Sequence, residues 1–173
     1  MASVLATINP GDKVAIFSPF YENYGADAIL SGAQPIFVPL KPPSFDFDPE
    51  ELRAAFRQGA KALILCNPSN PSGKVFTREE LLKIAEIVKE FDAFVITDEV
   101  YEHIIYKQCA HLFRGTAGHA RAYDCLQFAL EDLFHYGLRL GYVLGPAEAL
   151  DRVRKVHDFL TVAPQHRCRK LRS

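Results

Sequence analysis

Short apolar runs, each closed by a turn or a polar pair, organise the first hundred or so positions of the chain. They are Val14-Ala15-Ile16-Phe17, Pro35-Ile36-Phe37-Val38, Ala62-Leu63-Ile64-Leu65-Cys66 and Phe94-Val95-Ile96-Thr97. Apolar runs this short, bounded by turn residues, predict buried strands. Between them the period changes. Leu81, Leu82, Ile84, Ala85, Ile87 and Val88 fall on one helical stripe, and Thr77-Arg78-Glu79-Glu80 ahead of it spells a capping box. Asp48-Pro49-Glu50-Glu51 predicts an N-cap, a proline at the first helical position and an acidic first turn, opening a helix to about Arg57. Asn9-Pro10-Gly11-Asp12 reads as a turn, Tyr24 to Leu30 as a short helix and Gly32 as its stop. Later, Tyr142-Val143-Leu144-Gly145 predicts a strand and Ala147 to Leu160 a helix. Strands alternating with helices imply an α/β fold, a mostly parallel sheet with flanking helices.

Two stretches do not share this agreement between levels. Residues 107–136 hold Gly115, Gly118 and three of the six histidines with no clear period, and residues 163–173 form an abrupt basic tail with Arg167, Arg169, Lys170 and Arg172.

Composition narrows the class. With 173 residues, 49% of them hydrophobic, and a net charge of −1, the chain suits one soluble domain with a real core and gives nucleic acid little to hold. No apolar run approaches the roughly 20 residues of a membrane helix, and the start lacks the basic-then-apolar pattern of a leader, so a cytoplasmic protein is expected. Cys66, Cys109, Cys125 and Cys168 show no metal-binding spacing; reduced thiols and no metal are expected.

The chemistry concentrates where two strands end. After Cys66 comes Asn67-Pro68-Ser69-Asn70-Pro71-Ser72-Gly73, and after Thr97 comes Asp98-Glu99-Val100-Tyr101. Proline fixes φ and glycine permits positive φ, so the first segment is a stiff turn that can hold a side chain still. In an open α/β sheet ligands sit at the carboxyl ends of strands, which converges an amide, a carboxylate and a phenol on one ligand.

This pattern resembles the class I and II aminotransferases, pyridoxal phosphate (PLP) enzymes of fold type I. Their Asn-Pro-x-Asn-Pro-Thr/Ser-Gly motif is matched by residues 67–73 and their Asp-Glu-x-Tyr by residues 98–101, in the right order with a helix between them. The resemblance runs from Met1 to about Tyr106 and resumes from Gly137 to Val162, so it implies a partial large domain over residues 1–162. It also implies amino acid and 2-oxo acid substrates, and a homodimer in the full-length family. Asp98 matches the carboxylate that keeps the pyridine nitrogen protonated, which makes the ring an electron sink. Asn70 and Tyr101 match the donors to the ring's phenolic oxygen, and Asn70 would also reach the substrate carboxylate. Alone, Asn70 reads as a turn residue and Tyr101 as a core aromatic; their placement with Asp98 favours the site. Tyr21, in Ser18-Pro19-Phe20-Tyr21, matches the aromatic stacked on the ring, although a core role is nearly as good a reading and Phe20 stands next to it. Arg139 matches the arginine whose fork grips the cofactor phosphate, with Leu138 where the family usually has Trp.

Three family parts are missing. Counting eight residues back from Arg139 lands on Glu131, where the family has its Schiff-base lysine. The phosphate-cradling Gly/Ala-Thr loop would precede Met1, and the arginine for the substrate carboxylate belongs to a small domain outside these residues. No catalytic residue is therefore assigned, and the chain as written is expected to be inactive and to bind PLP weakly or not at all. The genetic code offers a reason. Back-translated with free choice only at wobble bases and read one base later, Gln127 to Gly137 becomes Asn-Ser-Leu-Ser-Lys-Thr-Phe-Ser-Ile-Thr-Gly, the family's lysine motif. The same shift upstream yields Leu-Pro-Gly-Met-Arg-Glu-Arg-Thr-Ile, which is also family-like. Residues 107–136 are thus read as out of frame, with a return at Leu138 and a second slip near Ala163.

Two other classes remain on the sequence. One is a non-catalytic α/β subunit or interaction module derived from such an enzyme. The other is a nucleotide hydrolase, since Phe94 to Glu99 resembles its acidic strand end; no GxxxxGK[ST] loop accompanies it. The lysine count makes a direct prediction: borohydride reduction of the purified chain with PLP should give no single stoichiometric pyridoxyl-lysine on peptide mapping, only scattered surface labelling.

Overall fold

The computed structural model describes residues 1–106, Phe113, 125–129 and 141–161. In chain order the elements are α1 (Ala2–Thr7), β1 (Lys13–Ser18), α2 (Asn23–Leu30), β2 (Gln34–Lys41), β3 (Asp46–Phe47) and α3 (Pro49–Arg57). Then follow β4 (Ala60–Cys66), α4 (Arg78–Glu90), β5 (Phe94–Asp98), β6 (Cys125–Ala129), β7 (Tyr142–Leu144) and α5 (Ala147–Leu160). One sheet holds all seven strands in the order β3-β2-β1-β4-β5-β6-β7. Strands β2, β1, β4, β5 and β6 are parallel, and β3 and β7 close the two ends antiparallel.

The apolar runs are continuous because both faces of the sheet are covered. Ala15, Phe17, Leu63, Leu65 and Val95 point to one side, where Leu52 and Phe56 of α3 and Leu81, Ile84 and Val88 of α4 complete a core. Their neighbours Val14, Ile16, Ala62, Ile64 and Ile96 point to the other, against Val4 of α1 and Ala28 of α2. α5 packs on α1.

Helix ends follow the predicted chemistry. Asp48 accepts the Glu50 N–H at 2.9 Å, with Pro49 opening α3. Thr77 Oγ1 accepts the Glu80 N–H at 3.2 Å, and Glu80 returns the bond by accepting the Thr77 N–H at 2.7 Å. Past α2, the Gly32 N–H reaches the Ile29 carbonyl and the Ala33 N–H the Ala28 carbonyl, both at 2.9 Å, around a left-handed Gly32 at φ 80°. α4 stops the same way, but there the left-handed residue is Asp92 at φ 49°.

The structure adds elements that the periodicity does not predict. α1 and β3 are too short to show a period. β6 lies inside the stretch that reads as aperiodic, yet pairs in parallel with β5, from Val95↔Cys125 to Asp98↔Phe128. Pairing at 125–129 needs no such period, because it is carried by backbone groups, which any sequence supplies.

The two left-handed caps predict opposite signs. A methyl at Gly32 would meet Pro10 Cβ at 3.0 Å as well as the strained φ. Gly32→Ala should cost at least about 1–2 kcal/mol in urea denaturation, whereas Asp92→Gly should leave stability unchanged or raise it.

Candidate active site

The site begins with strand register. Cys66 and Asp98 are partners at the ends of β4 and β5, so the loops leaving both strands start side by side. The Asn67 N–H then donates to the Asp98 carbonyl at 2.9 Å, carrying the pairing one residue into the loop. Asn67 Oδ1, buried, accepts the Phe76 N–H at 3.0 Å and shuts the loop at its base. Inside it, Ser69 N–H donates to the Lys74 carbonyl and Gly73 N–H to the Ser69 carbonyl, each at 2.8 Å, with Gly73 at φ 70°. Both Asn–Pro peptide bonds are cis.

Asp98 sits in the wall of a cavity of about 290 Å³ that Tyr21, Tyr24, Ile64, Ile96 and Gly141 also line. Its Oδ2 accepts the Tyr24 hydroxyl at 2.6 Å and its Oδ1 the Val100 N–H at 3.3 Å. Burial raises the Asp98 carboxyl above its ordinary value, against the lowering effect of those two donors. Burial likewise pushes the Tyr24 phenol up and the Cys66 thiol up to about 11, both helped by the charge of Asp98 close by. The centre is a carboxylate held by neutral donors. A cationic ligand would supply a charge that neither donor carries; the Met1 ammonium, which also lines the cavity, is paired with Asp27 at 2.6 Å.

The remaining sequence-predicted residues fall as follows. Tyr21, 40% exposed, stands at the Asp98 cavity with its ring edge-on to Tyr24, centroids 5.7 Å apart. Phe20 points elsewhere and stacks on Phe37 at 5.0 Å. Asn70 and Tyr101 line a second, larger cavity of about 820 Å³, the Asn70 Nδ2 lying 3.5 Å from the Tyr101 hydroxyl, at the outer limit of a hydrogen bond. The structure therefore gathers the four in two pairs joined through the Asn67–Asp98 bond. Arg139 and Glu131 lie outside the described residues. Sequence reasoning missed Tyr24 and Cys66. Tyr24 had a usable signal: it is the second tyrosine of a pair three apart at a helix start, a spacing that places both on one side.

Comparison with known proteins decides the lineage. The profile of the family Aminotransferase class I and II matches residues 1–171. The chain belongs to this family. A probable N-succinyldiaminopimelate aminotransferase of Mycobacterium tuberculosis is 36% identical over 163 residues, 92% of this chain and 41% of that protein. The human kynurenine–oxoglutarate transaminase 1 is 34% identical over 88% of this chain and 39% of its own length. Among solved structures, N-succinyldiaminopimelate aminotransferase from Mycobacterium tuberculosis superposes with a TM-score of 0.85 at 35% identity, covering 92% of this chain and 42% of that one. Aspartate aminotransferase from Thermus thermophilus with maleate gives 0.87 at 29% identity, covering 94% and 42%. The chain thus spans about two fifths of the relatives it matches, and its mostly parallel sheet with flanking helices is part of the aminotransferase large domain. Among the described residues no helix is long and apolar enough to cross a membrane.

The Asp98–Tyr24 bond has a pH signature. Between the ordinary carboxyl value of 3.8 and its raised value in the fold, the folded chain binds more protons than the unfolded one. Stability from this group therefore falls as pH rises through that window, and the burial cost is complete above it. Tyr24→Phe removes a donor that favours the carboxylate, extends the window upward and should steepen the loss; Asp98→Asn should flatten it. Urea denaturation from roughly pH 4 to 8 measures both slopes.

Proposed function

We propose that this chain is part of a PLP-dependent aminotransferase, transferring an amino group between an amino acid and a 2-oxo acid, and that its residues hold the cofactor ring against the end of β5. The observation that carries the reading is half-buried Asp98, on the wall of an apolar cavity with Tyr21 beside it and held by two neutral donors, while the Met1 ammonium that also lines the cavity is paired with Asp27 at 2.6 Å. A protonated aromatic nitrogen fits this place: it supplies the missing positive charge, and its flat ring suits walls formed by Ile64, Ile96 and Tyr21.

When bound, PLP supplies an electron sink for the substrate's α-carbon. Asp98 would hold the proton on the ring nitrogen, and Tyr24 would fix the carboxylate oxygen that does so. Tyr21 would restrain the ring's tilt. Asn70 and Tyr101 would donate to the phenolic oxygen. Arg139, two residues before cavity-lining Gly141, would bind the phosphate. We further propose that the chain as written does not complete the reaction, because Glu131 stands where the family's lysine belongs, and that residues 107–136 and 163–173 are read from shifted frames. Family membership supports an enzyme fragment over a separate interaction module. A homodimer in the cytoplasm completes the proposal.

Two measurements test it. Binding of PLP by the chain, followed by ring absorbance, should weaken about 10–100-fold in Asp98→Ala, the loss of one charged hydrogen bond. In a full-length protein with one frame restored across both segments, Asp98→Ala should lower the half-reaction rate on the order of 10³-fold, while Tyr101→Phe should cost only about 0.5–1.5 kcal/mol. An Asp98→Ala enzyme that kept most of its activity would overturn the placement of the ring.

A further inference from the structure

Lys74 is an unusual lysine. It follows Gly73 at the end of the Asn-Pro loop, and its side chain is only 9% exposed. Its ammonium lies 2.7 Å from Asp46 Oδ1 and 2.7 Å from Glu80 Oε1, and 5.6 Å from the centre of the Phe76 ring. Asp46 belongs to β3, beyond the turn from β2; Glu80 is the residue that closes the α4 capping box. One cation therefore joins three elements: the loop, the edge hairpin and the first turn of α4.

The backbone of the same residue reaches the other way. The Lys74 carbonyl accepts the N–H of Ser69, the residue directly before Asn70. Asn70 sits on the section of chain between these two anchored points. Its own side chain makes a long 3.5 Å contact with Tyr101, too weak to fix the loop by itself. Exposed ion pairs contribute little, and Asp46 itself is open to water, but the ammonium is nearly enclosed and Glu80 is only 19% exposed, so moving Lys74 away from Glu80 leaves both charges poorly solvated.

We propose that Lys74 is a positioning residue, clamping the loop so that the Asn70 amide is presented beside Tyr101 to the oxygen substituent of an aromatic ligand. The part of this that concerns the ligand rests on the function proposed above; the clamp itself does not. Lys74 touches no reacting atom. It acts through Ser69 and Asn70.

The test has two arms on the whole chain. In the first, backbone hydrogen exchange of residues 67–76 is compared in wild type, Lys74→Met and Lys74→Arg. Lys74→Met should exchange about tenfold faster in this loop with β4 and β5 unchanged, and Lys74→Arg, which keeps the charge, should restore protection. Asp46→Asn, which cuts only the hairpin side, should give an intermediate rate and guards against a Lys74→Met chain that fails to fold. In the second, PLP is compared with its analogue lacking the phenolic oxygen. Wild type should prefer PLP by about tenfold, Lys74→Met should lose the preference, and Lys74→Arg should regain it. A merely structural lysine would weaken both ligands alike and leave the preference intact, which overturns the proposal. Unchanged exchange in both Lys74→Met and Asp46→Asn overturns the clamp. If wild type binds neither compound, the placement of the ring on this chain fails and takes the ligand half with it, while the exchange arm still decides the clamp.

Discussion

The site depends on the parallel pairing of β4 with β5. A parallel ladder brings the carboxyl ends of both strands to one edge of the sheet, and the Cys66↔Asp98 register makes them end level. From that point the two loops cannot separate, because the Asn67 N–H remains tied to the Asp98 carbonyl. A register shift of one residue would turn Asp98 to the opposite face. The buried side chains of Ala62, Leu63, Ile64, Val95 and Ile96 oppose that shift, since each would exchange one packed core for the other.

On that frame rests an electrostatic arrangement that the fold alone does not favour. Asp98 is taken largely out of water and given two neutral donors. The carboxylate stays available because those donors offset part of the burial cost, and because Tyr24 comes from α2, fixed on the sheet by its own packing. A group held in this state costs stability near neutral pH and gains it back when a positive charge arrives. Sites with function commonly carry such a cost. Membership in the aminotransferase family supplies the context in which that charge would be a pyridinium.

Much is legible in the chain alone. Both capping signals on α3 and α4, the left-handed stop at Gly32 and the span of α5 follow from local rules, and local rules need no tertiary context. The two loops at the strand ends were legible too, because Asn-Pro pairs, Gly73 and an acidic strand end are chemically distinctive. Missing were α1 and β3, too short for a period, and β6, whose residues 125–129 pair through backbone rather than pattern.

The sequence by itself determined which residue types could serve: an amide, a carboxylate and phenols on loops leaving two strands. Only the tertiary structure decided their partners. Tyr24 bonds Asp98 across 74 positions of chain and Lys74 bonds Asp46 across 28, and no local period encodes contacts at those separations. Tyr21 and Phe20 are likewise equal as aromatics in the sequence; the packing of Phe20 on Phe37 leaves Tyr21 at the cavity. Propensity and capping act within a few residues. The meeting of distant side chains is set by how the sheet and helices bury their apolar faces, which is a property of the folded chain as a whole.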